Sequence, residues 1–309
     1  MDVSDAKAVC ECKFLGLELE GMTPSVNANV VGVGVGIKVY RGMPTGETAL
    51  RVYVKKKVHP LMIPEGELIP DFIEGVPTDI DAIGEVRIKW PFPPVFQRRL
   101  RPARPGISIG HRDVSAGTFG LVVRTATEKG LILSNNHVLA NENRGVKGDV
   151  ILQPGDWDGG KSEKDSIGSL ASFVPLKEEE TNQVDAALAQ PYDPRDIAPD
   201  IVGIGRVAGT VEPRLGMAVT KAGRTTRITR GEVTDMDVTL LVGYTNGSLL
   251  FQDQMILRGR GGFSGPGDSG SAILDMENRV CGLLFAGSPV VTIANRWAKV
   301  ASALGVTPV

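Results

Sequence analysis

The chain has 309 residues, 42% of them hydrophobic, with 38 glycines and 20 prolines; that exceeds one ordinary domain and fits a loop-rich, strand-rich protein of two units. A net charge of −2 excludes attraction to nucleic acid through overall charge, and no run approaches the roughly 20 apolar residues of a membrane span. Three cysteines, with Cys10 and Cys12 too close for an unstrained bridge, exclude a disulfide-stapled scaffold, while Met1-Asp2-Val3-Ser4-Asp5 lacks the basic and apolar regions of a signal peptide, so a cytoplasmic location is expected.

Residues 1–102 read as a small α+β module. Ala6, Val9, Phe14, Leu15 and Leu17 recur among charges between Asp5 and Glu20 and predict a short amphipathic helix. Val30 to Tyr40 and Ala49 to Lys57 predict paired strands about a Gly42-Met43-Pro44-Thr45-Gly46 turn. Gly32, Gly34 and Gly36 alternate with valine and lack the later glycine and helix start of a dinucleotide loop, so they predict a closely packed or bulged strand. Lys55-Lys56-Lys57 reads as a solvated strand end. His59 and His111 lack partners at metal-ligand spacing and Cys10-x-Cys12 is a weak signal, so neither a metal nor a cofactor is assigned. Trp90-Pro91-Phe92-Pro93-Pro94 leads into Arg98-Arg99-Leu100-Arg101-Pro102-Ala103-Arg104-Pro105, which reads as a basic, proline-punctuated connector and a candidate cleavage site.

Residues 103–309 carry the chemistry. His137 closes the apolar run Leu131 to Val138. Asp185 enters the apolar segment Val184-Asp185-Ala186-Ala187-Leu188-Ala189, where an unpaired carboxylate would cost several kcal/mol to bury. Asp156, Asp158 and Asp165 lie in a Gly/Lys/Ser-rich segment that reads as a solvated loop. Ser269 sits in Gly267-Asp268-Ser269-Gly270-Ser271, whose glycines permit a tight turn about the serine.

A serine hydroxyl needs an imidazole to take its proton and a buried carboxylate to hold that imidazole before it attacks an amide. Backbone N–H groups of Gly267 and Ser269 are the expected donors to a developing oxyanion, and loss of one such donor lowers rate by roughly 100- to 1000-fold. Taken singly, Gly-Asp-Ser-Gly is a good turn sequence and a lone histidine is ordinary structure. Their joint occurrence in the order His137, Asp185, Ser269 favours a catalytic triad.

From about Ala103 to Val309 the chain resembles the bacterial-type chymotrypsin-like serine peptidases. Leu131–Val138 resembles the strand delivering the histidine, Val184–Ala189 the aspartate segment, Gly265–Ser271 the nucleophile turn and Gly282–Gly287 the substrate-lining strand. The resemblance implies a mainly β fold of two six-stranded antiparallel β-barrels, one carrying His137 and Asp185 and the other Ser269. It also implies that Lys221-Ala222-Gly223-Arg224-Thr225-Thr226 brings Arg224 to Asp268 as structural support for the site, although Arg227 stands where relatives have glycine. No Ile-Val-Gly-Gly activation terminus is present, so the Arg224–Asp268 pair would replace that device. Phe263 would lie at the base of the substrate pocket beside Ser264, with Phe285, Ala286 and Gly287 as its wall, implying an apolar rather than basic side chain in the substrate.

The implied function is serine endopeptidase activity on a protein or peptide, regulated by the N-terminal module. That module could gate access, recruit substrate or mediate homo-oligomerisation. A latent binding or assembly protein and an esterase using the same triad are the rival readings.

Overall fold

The computed structural model describes residues 2–86 and 96–309; Trp90-Pro91-Phe92-Pro93-Pro94 lies outside the described residues. Helix α1 (Val3–Leu15) ends at Gly16, short of the expected Glu20. Strands β1 (Val30–Tyr40) and β2 (Met43–Val54) form the expected hairpin, with a tighter turn, since Tyr40 pairs with Met43 across Arg41 and Gly42. Both turn residues adopt positive φ, which suits the twist of a two-residue hairpin loop. β3 (Phe72–Ile73) and β4 (Val76–Ala82) follow, β4 running parallel to β2. Ala6, Val9, Phe14 and Leu15 of α1 pack on Val33, Leu50 and Val52 of the hairpin, and each such fully buried aliphatic side chain contributes about 1.5–3 kcal/mol.

The first barrel contains β5 (Ser108–His111), β6 (Gly117–Thr118), β7 (Leu121–Arg124), β8 (Lys129–Ser134), β9 (Val150–Leu152), β10 (Ser166–Phe173) and β11 (Ala187–Pro191). The single-turn helices α2 (Asn136–Leu139) and α3 (Ser162–Asp165) interrupt it. After β12 (Gly209–Thr210), the second barrel contains β13 (Ala218–Gly223), β14 (Arg227–Tyr244), β15 (Gly247–Arg258), β16 (Ala272–Asp275), β17 (Arg279–Gly287) and β18 (Thr292–Arg296). Helix α4 (Trp297–Leu304) and β19 (Thr307–Pro308) end the chain.

Both barrels have the same wiring. The first runs β7-β8-β11-β10-β9-β5, and hydrogen bonds between Phe119 and Gly106/Ile107 close it. The second runs β14-β15-β18-β17-β16-β13, and β13–β14 pairing closes it. In strand-by-strand order within each barrel the neighbours correspond, so the expected pair of six-stranded antiparallel barrels is present; β6 and β19 are appended to the first and β12 to the second. Closure removes the exposed edges that an open sheet of this length would leave. Leu121, Leu133 and Ala186 meet Leu274, Leu283, Trp297 and Val300 in the core between the two barrels.

The N-terminal hairpin has no sheet of its own: β1 pairs antiparallel with β14, so β1, β2, β4 and β3 extend the sheet of the second barrel. The alternate glycines allow that approach. A Cβ at Gly32 would meet Leu240 Cβ at 2.7 Å, and one at Gly36 would meet Asp235 Oδ1 at 2.6 Å.

The structure places both charged loops, and one expectation needs correction. The basic connector is laid on the first barrel: Gln153, fully buried, accepts from Leu100 N at 3.0 Å and donates to Arg98 O at 2.9 Å, while Ala103 is completely buried and pairs with Ile197. Arg98, Arg99, Leu100, Pro102 and Arg104 nevertheless stay exposed. Asp156 is exposed as expected, but Asp158 and Asp165 are not solvated; the Asp158 side chain is 2% exposed against Arg224, and Asp165 is buried beside Arg99.

Candidate active site

The end of β8 feeds α2, whose single turn carries His137, and Asp185 precedes β11, the neighbour of β8. Antiparallel pairing of Ala187 with Ser134 therefore brings the two side chains together. His137 Nδ1 lies 2.6 Å from Asp185 Oδ2, and the two side chains are 6% and 0% exposed. Asp185 Oδ1 accepts from Asn136 N at 2.6 Å and His137 N at 3.3 Å, while Oδ2 also accepts from Tyr244 Oη at 2.6 Å. Each carboxylate oxygen thus receives two donors, which offsets the burial of the charge. Acceptance at Oδ2 assigns the imidazole proton to Nδ1 and leaves Nε2 as the acceptor. His137 Nε2 is buried without a hydrogen-bond partner among the described residues.

The second barrel supplies the serine. Gly267 and Gly270 flank the turn at φ 88° and 96°, a region costing about 1–2 kcal/mol per residue for side chains with a Cβ. At Gly267 a Cβ would overlap Arg224 Nη1, and at Gly270 it would overlap Ser134 Oγ and Thr118 O. Thr118 of the first barrel ties the turn across the interface: its Oγ1 donates to Gly267 O at 2.8 Å and its N donates to Ser269 O at 2.7 Å. The N–H groups of Gly267 and Ser269 make no hydrogen bond among the described residues. Ser269 and His137 line a common cavity of about 580 Å³ with Gly267, Tyr244, Asp113 and Glu142. In this conformation Ser269 Oγ donates to Phe285 O at 3.3 Å.

The expected Arg224–Asp268 pair is replaced by two others. Asp268 Oδ2 lies 3.4 Å from Lys221 Nζ and accepts from Gly265 N at 2.8 Å and Thr226 Oγ1 at 2.5 Å. Its Oδ1 accepts from Thr225 N at 2.8 Å and Thr226 N at 3.1 Å. Burial holds the Lys221 ammonium below the ordinary lysine pKa, with Asp268 opposing that shift. Arg224 instead makes a two-pronged bond to Asp158, through Nε to Oδ2 at 2.6 Å and Nη2 to Oδ1 at 2.5 Å. The reason is local: Lys221 points inward from β13 like Val219, while the turn after Gly223 swings Arg224 toward the loop bearing Asp158. Arg227, where a glycine was implied, takes φ 59°, the left-handed conformation glycine adopts without strain.

The five residues expected at the substrate pocket are packed in the second barrel and do not line the cavity shared by His137 and Ser269. Phe263 is 3% exposed among Met217, Val219 and Ile273. Phe285 is fully buried with its ring centroid 4.7 Å from that of Phe251, and Ser264 Oγ shares a 2.5 Å hydrogen bond with Thr292 Oγ1. Ala286 and Gly287 are buried as well. Apolar side chains at these positions close on one another, which the resemblance alone does not reveal.

Tyr244, Lys221, Asp158 and Thr118 are site residues that sequence reasoning missed. Only Lys221 left a signal, a lysine at an inward position of the strand Ala218–Gly223. Burial pushes the thiols of Cys10 and Cys281 up to about 12, so neither is a nucleophile at neutral pH. Among the described residues no helix is long and apolar enough to cross a membrane.

Comparison with protein-family models and with curated proteins finds no match. Among solved structures the chain is similar to a glutamic acid-specific serine protease, at 18% identity and TM-score 0.48, over 67% of this chain and 100% of that one. It is also similar to a chymotrypsin of Cellulomonas bogoriensis, at 18% identity and TM-score 0.46, over 66% of this chain and 97% of that one. A protease of Thermobifida fusca aligns at 16% identity and TM-score 0.47, over 66% and 97% of the two chains.

Proposed function

We propose that the protein is a serine endopeptidase working through His137, Asp185 and Ser269. The observation that carries the reading is the buried 2.6 Å contact between His137 Nδ1 and Asp185 Oδ2, with Nε2 left unpartnered in the cavity that Ser269 lines. Ser269 attacks the scissile carbonyl as its hydroxyl proton passes to His137 Nε2, and the C–O bond of a tetrahedral adduct forms. The N–H groups of Gly267 and Ser269 receive the developing oxyanion. His137 then returns the proton to the leaving amine as the C–N bond breaks; water repeats the sequence to release the acid and restore Ser269. Asp185 keeps the imidazole in the tautomer that this requires and stabilises the transient imidazolium.

In this reading the substrate is a protein or peptide; Phe263, expected to favour an apolar side chain, is packed in the core of the second barrel away from the cavity and supplies no basis for a side-chain preference. The N-terminal module, residues 1–102, regulates the peptidase domain, residues 103–309. Support comes from β1 pairing with β14, from Gly243 N donating to Val86 O at 3.2 Å and from Glu85 lining the cavity.

One observation favours a second reading, a latent protease fold serving as a binding or assembly protein: Ser269 Oγ is turned to the Phe285 carbonyl. Intact mass of the wild type and Ser269→Ala after exposure to a serine-directed fluorophosphonate separates the two. A single adduct on Ser269, absent from the variant, supports the peptidase; no adduct on the folded wild type supports latency.

A further inference from the structure

The dyad is touched by a residue outside it. Tyr244 is the last residue of β14, at the tip of the long hairpin that the second barrel sends over the first. Its hydroxyl donates to Asp185 Oδ2 at 2.6 Å, on the same oxygen that receives His137 Nδ1 at 2.6 Å. Its ring meets the imidazole edge-on, with centroids 6.1 Å apart and planes at 77°, and stacks on Phe251 at 6.0 Å. Phe251 in turn packs on Phe285, whose carbonyl receives the Ser269 hydroxyl. A chain of rings therefore joins the His–Asp pair of one barrel to the nucleophile of the other.

The geometry points to Tyr244 as a positioning residue that sets the strength and direction of the His137–Asp185 hydrogen bond. This rests on the reading of that pair as catalytic. Two donors on one carboxylate oxygen share its electron density, so the phenol moderates the pull of Oδ2 on the Nδ1 proton and fixes the carboxylate plane. Tyr244 is held to that task from behind. Gly243 N donates to Val86 O at 3.2 Å, and β1 braces β14 through the Gly32–Leu240 and Val33–Thr239 pairs, so the N-terminal module fixes the strand that presents the phenol. Burial, with the negative charge of Asp185 next, raises the phenol well above the ordinary tyrosine pKa, which keeps it a neutral donor. The ionisable groups sharing the cavity are Glu85, Asp113, Glu142 and Arg144; Glu142 accepts from Thr245 Oγ1 at 3.0 Å and Thr245 N at 3.2 Å.

The test is the low-field proton resonance of the His137 Nδ1–H, read on the full chain, which has three histidines to assign. Tyr244→Phe removes the hydroxyl and keeps the ring. With its competitor gone, Oδ2 becomes the stronger acceptor, and the resonance is expected to move downfield while fluorophosphonate acylation of Ser269 slows about 10-fold, the effect of one lost hydrogen bond to a charged group. Incorporation of 3,5-difluorotyrosine at position 244, a near-isosteric and stronger donor, is expected to move the resonance upfield, and it keeps the test decisive if Tyr244→Phe does not fold. An unchanged resonance in a folded variant overturns the inference. A shift in both variants together with a wild type that is never acylated upholds the role of Tyr244 on the dyad and refutes the reading of Ser269 as a nucleophile.

Discussion

The ammonium of Lys221 faces the carboxylate of Asp268 at 3.4 Å, with both side chains fully buried beneath the turn that carries Ser269. Breaking a buried pair from one side leaves a charge without its partner and costs about 3–5 kcal/mol. Lys221→Met is therefore expected to lower unfolding free energy by about that amount in denaturant titration and to depress acylation of Ser269, since Asp268 organises the turn through Thr225, Thr226 and Gly265. A stability change below about 1 kcal/mol would count against the pair as the turn's anchor.

Gly267 has no room for a side chain. Its φ of 88° and the overlap of any Cβ with Arg224 Nη1 predict that Gly267→Ala displaces its N–H from the proposed oxyanion position. Loss of one such donor corresponds to a roughly 100- to 1000-fold slower turnover. Burst kinetics on an activated ester, with circular dichroism to establish folding, read the effect; wild-type turnover would remove Gly267 from the mechanism.

Asp185→Asn keeps the shape but presents an amide to Nδ1. An amide N–H facing Nδ1 favours the wrong tautomer and puts the proton on Nε2, where it cannot accept from Ser269. Turnover is expected to fall about 10,000-fold, with acylation by the fluorophosphonate slowed in parallel. Equal acylation rates for the two proteins would show that Asp185 does not act through the imidazole.

Glu11 of α1 bonds Lys7 Nζ at 2.7 Å and Thr239 of β14, and burial, outweighing Lys7, raises its pKa above the ordinary glutamate value. An acid whose pKa is raised on folding binds its proton more tightly in the folded state. Its contribution to stability is greatest below the unfolded pKa and is lost as pH rises through the folded one. Between about pH 4 and 7, a range beginning near the ordinary glutamate pKa, the stability of the wild type relative to Glu11→Gln should decline with rising pH. Melting temperatures of both proteins across that range read it directly. A difference that grows with pH would mean that the ionised carboxylate is the favoured form at the α1–β14 contact.

What the sequence determined by itself is local in origin. The glycines around Ser269 demand a tight positive-φ turn, the solitary Asp185 in an apolar run demands a buried partner, and alternating patterns demand strands; none of these needs distant information. The residues His137 and Asp185, which the structure joins at 2.6 Å, were legible for that reason, whereas the two-barrel fold was legible only through the resemblance that those motifs carry. Tertiary structure decided which cation meets which anion. Lys221 and Arg224 are three residues apart, and only the direction of β13 and its following turn sends the first to Asp268 and the second to Asp158. It also decided that the N-terminal hairpin extends the second barrel, that the expected pocket residues close on each other, and that Tyr244 reaches Asp185 from 59 positions away in the chain. Each of these depends on strand register and on how one barrel packs against the other, quantities that composition and short motifs do not encode.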